Sequence, residues 1–184
     1  MIEGSNLNSV FSALDKKLFE LKHPKTITIF GSSALIAQNF IDRATHDVDV
    51  IDPKLDPQFQ VAAMEIAPTL GLDPTWLNSA GTVFSRHLPE GWESRTQVIF
   101  RGDALKVKSL SRGDLILTKF LSACQRVGVD SEDLASMKPS TIELKSAKKW
   151  ALQRESTPEW PTRVDTVLEK VKGLTKGAKR ELGR

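Results

Sequence analysis

The chain has 184 residues, 40% of them hydrophobic and 27% charged, with one cysteine and a formal net charge of +3. That length suits one domain, or one domain with a helical appendage, and its lone Cys124, which falls in an apolar helical run and reads as a core residue, excludes an internal disulfide and a Cys/His zinc cluster. No apolar run is long enough to span a bilayer and the first residues show no signal-peptide pattern, so a cytoplasmic protein with no membrane partner is expected.

Residues 1–5 read as disordered. Asn6 or Asn8 can cap a helix to about Lys22, whose Leu7, Val10, Phe11, Leu14, Leu18 and Leu21 recur at helical spacing. His23-Pro24 ends it. An alternating strand follows, Thr26-Ile27-Thr28-Ile29-Phe30. Gly31-Ser32-Ser33 makes a tight turn into a short apolar helix from about Ala34 to Ile41. In that turn Ser32 or Ser33 reads either as a helix N-cap or as part of a phosphate cradle, since both occupy the same place. A polar loop carries Arg43 and Thr45 into a second strand, Asp47-Val48-Asp49-Val50-Ile51. Side chains alternate along a strand, so Asp47 and Asp49 share one face while Val48 and Val50 turn toward a core. Two carboxylates on one face can share a divalent cation. Arg43 reads either as their ion-pair partner or as a phosphate ligand.

A helix from about Asp56 to Leu70 buries Phe59, Ala62, Ala63, Ile66 and Leu70, and Gly71 ends it. Residues 76–95 read as a loop with short elements. Its Trp76, Phe84 and Trp92 suit either the edge of a core or a base-stacking surface. Gln97 to Phe100 and Leu105 to Val107 form a hairpin around Arg101-Gly102-Asp103. Ser111 caps the next helix, on which Ile116, Leu117, Phe120, Leu121 and Cys124 make an apolar face. Lys119, Ser122, Ala123 and Arg126 lie on the other side. Asp130 and Asp133 flank the start of a further short helix, Asp130 as its N-cap. Two more helices, Thr141 to Arg154 and Trp160 to about Lys179, are separated at Ser156-Thr157-Pro158. Gly173, Gly177 and the cations around them suggest a fraying end. From Ile142 onward eleven Lys or Arg stand against six Asp or Glu, a net +5, so the rest carries −2. This basic segment reads as a solvated helix face or as an attractor of nucleic-acid phosphates.

The order strand, Gly31-Ser32, helix, Arg43-Ala44-Thr45, then Asp47-Val48-Asp49 resembles the polymerase-beta-like nucleotidyltransferase superfamily. Within it the chain is most similar to predicted nucleotidyltransferases of the abortive-infection and toxin–antitoxin type. Besides Gly31-Ser32-Ser33-Ala34-Leu35 and Asp47-Val48-Asp49-Val50, the resemblance rests on Leu110-Ser111-Arg112-Gly113-Asp114-Leu115 leading to Lys119, on Arg126, and on Asp130-Ser131-Glu132-Asp133-Leu134. It covers about residues 26–135. It implies an α/β (α+β) fold, a small mixed sheet flanked by helices, with a nucleotidyltransferase-like domain at 1–136 and a helical segment at 137–184 packed on it. It also implies transfer of a nucleoside monophosphate from a nucleoside triphosphate to RNA (such as tRNA), protein or a small molecule. Asp47 and Asp49 would hold Mg2+ or Mn2+, and Gly31, Ser32, Ser33, Arg43 and Thr45 would bind the nucleotide. Lys119 would contact the triphosphate, and Asp130 would serve as its partner or as a base. The family's third metal carboxylate has no counterpart on the strand Ala104 to Lys108, and Asp103 in the turn before it is badly placed. A non-catalytic binding or regulatory protein of the same fold, such as a toxin–antitoxin component, is the alternative.

Overall fold

The computed structural model describes residues 1–126 and 128–181, with side chains described as far as Thr175. It is a mixed α/β chain that divides into two compact units, Met1–Ser111 and Arg112–Arg184. The division lies ahead of the 136/137 boundary read from the sequence.

The first unit is built on a five-stranded sheet. Its elements are α1 (Leu7–Glu20), β1 (Lys25–Phe30), α2 (Gly31–Ala37), β2 (Val48–Asp52), α3 (Pro57–Ile66), β3 (Leu77–Asn78), α4 (Thr82–Ser85), β4 (Gln97–Arg101) and β5 (Leu105–Ser109). Two 3₁₀ turns, Pro68–Leu70 and Trp92–Arg95, fill the connections. Strand order is β3-β2-β1-β5-β4. β1 runs antiparallel to β2 and parallel to β5, β2 is parallel to β3, and β4 is antiparallel to β5.

One sheet face is the core face. Ile27, Ile29, Val48, Val50 and Val107 are buried there, and α1 covers it with Leu7, Val10, Phe11, Leu14 and Leu18. Phe11 meets Phe100 with ring centroids 5.7 Å apart. Asp56 fixes the entry to α3. It caps the helix by accepting from the Phe59 N–H at 2.9 Å and pairs with Lys25 at 2.7 Å and His23 at 3.1 Å. Trp76 and Trp92 are buried, and the Trp76 indole donates to the Ala63 carbonyl at 3.0 Å, so both serve the core and leave base stacking to neither.

The N-terminus differs from expectation. Ile2 is fully buried, and it exchanges two backbone hydrogen bonds of 2.8 Å with Thr45. A β-bridge to a distant loop orders residues that have no period of their own.

The second unit is helical: α5 (Arg112–Gln125), α6 (Asp130–Ser136), α7 (Thr141–Leu152) and α8 (Trp160–Glu181). α5 lies among the other three. It is therefore buried on most sides, taking in Leu115, Thr118 and Lys119 as well as the expected Ile116, Phe120, Leu121 and Cys124, while Leu117 of the expected face is only half-buried. A capping box of Ser140 and Glu143 starts α7, and Arg112 pairs with Glu143. The Trp160 indole donates to the Ala151 carbonyl at 2.9 Å, tying α8 to α7. α8 continues through Gly173 and Gly177; the rest of the expected fraying tail lies outside the described residues.

Candidate nucleotide and metal site

β1 ends at Phe30 and the chain turns directly into α2. Gly31 makes the turn with φ +70°, a left-handed value that side chains disfavour. A Cβ on Gly31 would lie 3.1 Å from Asp49 Oδ2, so glycine lets the turn backbone rest against that carboxylate. The Gly-Ser turn and the D-x-D strand are thus in contact, because β1 pairs with β2 and sets Phe30 opposite Asp49.

Neither Ser32 nor Ser33 caps α2. The N-cap is Phe30, whose side chain offers no acceptor. Ser33 is buried and donates to the Phe30 carbonyl at 3.3 Å. Ser32 is half-buried and accepts from the Arg43 guanidinium at 2.9 Å. Arg43 also donates to the Ala44 carbonyl at 3.2 Å, so the arginine braces the loop against the turn. Thr45 is buried and its hydroxyl donates to Asp47 Oδ1 at 3.2 Å.

Asp47 is exposed and Asp49 half-buried. Asn78 of β3 stands beside Asp49 in register and donates its amide to Asp49 Oδ1 at 3.0 Å. The Ala80 N–H donates to the other end of that amide at 3.0 Å and fixes its orientation. The sequence reading missed Asn78, since a two-residue strand leaves no period. It also missed Asp52. The β1–β2 register shifts between Thr28 and Ile29, so that Ile29 faces Val50 and Thr28 faces Asp52. Val50 and Ile51 are both buried across this bulge. Asp52 is thereby moved to the face that carries Asp49. Burial pushes the Asp52 carboxyl up, the Glu93 charge adds to this, and Lys108 opposes it.

As a metal site, Asp49 in β2 and Asp47, which falls just before the strand, offer two carboxylates. No group of three or more acidic, His or Cys residues able to hold a metal occurs among the described residues. Two carboxylates, with water and substrate phosphates completing the shell, suit a small hard cation such as Mg2+.

Lys119 and Asp130 belong to the second unit. Lys119 is only 4% exposed, and its ammonium donates to Asp130 at 2.9 Å and Asp133 at 2.8 Å. Arg126 donates to Asp130 through Nε at 2.8 Å. Burial pulls the Asp130 carboxyl up, but Arg126 and Lys119 outweigh it and hold it below the usual carboxylate range. Asp130 opens α6 without capping it, because the N-cap position falls to Val129. Helical period alone puts Lys119 on the side of α5 opposite its apolar face, and the structure buries it there.

The family model described as nucleotidyltransferase of unknown function (DUF6036) matches residues 5–149. The chain belongs to that family. The match takes in the whole of the Gly31–Asp52 site and the Lys119–Asp133 cluster. Comparison with curated proteins and with solved structures gave no match. No helix among the described residues of this nucleotidyltransferase-family chain is long and apolar enough to cross a membrane.

Proposed function

We propose that this nucleotidyltransferase-family chain transfers a nucleoside monophosphate from a nucleoside triphosphate to an acceptor hydroxyl on RNA, protein or a small molecule. The observation that carries the reading is the contact between the Gly31 turn and the Asp49 carboxylate, which brings a phosphate-type turn to a metal-type strand. Backbone N–H groups at Gly31 and Ser32 would bind phosphate oxygens. Arg43, already on the Ser32 hydroxyl, would add positive charge beside them. Asp47 and Asp49 would hold Mg2+ or Mn2+, which when bound supplies Lewis-acid polarisation of a phosphate. Thr45 and Asn78 would keep the two carboxylates in place from either side. The expected assay result is label moving from one of the four alpha-labelled nucleoside triphosphates to cellular RNA or protein. Asp49→Asn should lower that transfer by roughly a hundredfold or more, the scale of several kcal/mol of lost charge stabilisation. Full transfer by Asp49→Asn would refute the reading.

A second reading has its own support. The Lys119 ammonium is engaged by two buried carboxylates, which speaks against its contacting a triphosphate. A regulatory member of the fold, for instance a component of an abortive-infection or toxin–antitoxin pair, would bind triphosphate with metal and leave it intact. Calorimetric binding without any transfer would favour it.

A further inference from the structure

The register of the sheet places a row of cations on the face that carries Asp49. Paired residues on adjacent strands point the same way. Thr26 pairs with Lys106, and Thr28 with Lys108. Arg101 also pairs with Lys106, and Val98 with Lys108. With Thr28 opposite Asp52 and Phe30 opposite Asp49, one face reads Arg101–Lys106–Thr26, then Val98–Lys108–Thr28–Asp52, then Phe30–Asp49.

A second bulge puts Arg101 there. The β4–β5 register shifts between Val98 and Phe100, so Phe100 turns to the core against Phe11 and Arg101 emerges beside Lys106. Like charges directly opposite one another destabilise a sheet. Among the described residues, the side chains of Arg101, Lys106 and Lys108 make no hydrogen bond or ion pair; Lys108 has Asp52 within electrostatic reach. Some cations of the second unit are ion-paired instead, as in Lys148–Asp165, Lys170–Glu132 and Lys172–Glu169. Arg101, Lys106 and Thr26 also line an open concavity of about 310 Å3, together with Lys25 and the acidic Asp103.

Lys108 and Lys106 are two residues apart, about 6.8 Å along a strand. Lys108 lies one such step from the level of Asp49. A strand of nucleic acid carries one charge per nucleotide and ends in a hydroxyl in line with those charges. An acidic peptide carries its charge on flexible stems and has no such terminal hydroxyl. We propose that this sheet face seats a single-stranded nucleic acid, its terminal hydroxyl toward Asp49 and its phosphates on Lys108 and on Lys106 with Arg101. The proposal rests on the transfer reading above and names its acceptor.

The test is equilibrium binding of a fluorescently labelled 12-nucleotide RNA or DNA single strand, read by anisotropy across a salt series. The full chain carries Asp49→Asn and no triphosphate is added, so binding is scored independently of transfer. Arg101→Gln with Lys106→Gln should weaken binding about tenfold at low salt and flatten the salt slope by about 0.7, the value for the one phosphate contact they share. Lys145→Gln with Lys149→Gln on α7 should leave both unchanged. The first pair should keep the parent's Tm or raise it, since a like-charge opposition is removed. The proposal is overturned if the parent does not bind the strand, if the α7 pair takes the loss, or if polyglutamate displaces the strand as well as unlabelled oligonucleotide does. Undiminished transfer to RNA by the Arg101/Lys106 variant would overturn the seat and leave the transfer reading standing. Strand binding without any transfer in the chain that keeps its native Asp49 would do the reverse.

Discussion

Gly31 leaves little room for a side chain. Both its left-handed backbone and the Asp49 oxygen at 3.1 Å from a would-be Cβ oppose one. Gly31→Ala should cost about 1–2 kcal/mol from the backbone alone, and more if Asp49 cannot give way. Urea denaturation reads this directly, and a midpoint equal to the parent's would contradict it. Lys119 makes the opposite demand, since it fills a place that must stay charged. Lys119→Met would strand the Asp130 and Asp133 carboxylates in a buried setting. Removing one partner of such a cluster costs about 3–5 kcal/mol. A Lys119→Met chain as stable as the parent would show that the lysine is free to serve a ligand.

At the scale of elements, local signals were legible and register was not. The alternation of Thr26–Phe30, the Gly31 turn and the Arg101–Asp103 hairpin all follow from neighbours in sequence. Strict alternation along β2 would put Ile51 beside the aspartates. The pairing with β1 buries Ile51 and brings out Asp52 instead. Arg101 owes its face to the same device on β4. The helical period of α5 is genuine, but it cannot tell which sides are covered. Asp130 and Asp133 come from α6, and they turn a solvent-like position into a buried one. The bulge has a measurable consequence. The Asp52 carboxyl is raised by burial and by Glu93, so its charged form is disfavoured in the fold. Asp52→Asn should stabilise the chain at pH 7. That gain should fade as pH falls, because the native aspartate then takes its proton. A stability loss at pH 7 would refute this.

Across the whole molecule the balance of carboxylates runs the other way. Asp56 is held low by Lys25 first, then by the Phe59 N–H, with His23 adding to them. Asp73 is held low by Thr75, and Glu132 by Lys170. Glu143 is raised by burial but ends low through Ser140 and Arg112, and Asp130 is low as well. A carboxyl lowered by folding contributes stability above its unfolded pKa and loses it as pH falls through the folded value. The chain should therefore hold its stability from pH 7 to about 5 and lose it below about pH 4, where ordinary carboxylates take protons. Three of the five, Asp130, Glu132 and Glu143, sit in the second unit. Each unit also holds two tryptophans, Trp76 and Trp92 in one and Trp150 and Trp160 in the other. With one pair changed to Phe at a time, acid should shift the emission of Trp150 and Trp160 first; simultaneous shifts would contradict this ordering. The bridge between Ile2 and Thr45 gives the start of the chain a mechanical character. Thr45 holds Asp47 through its hydroxyl, so Ile2 is two hydrogen-bonded links from an aspartate of the site. Tension or bulk applied at Ile2 should therefore be felt at Asp47, with the leading residues serving as a handle on it.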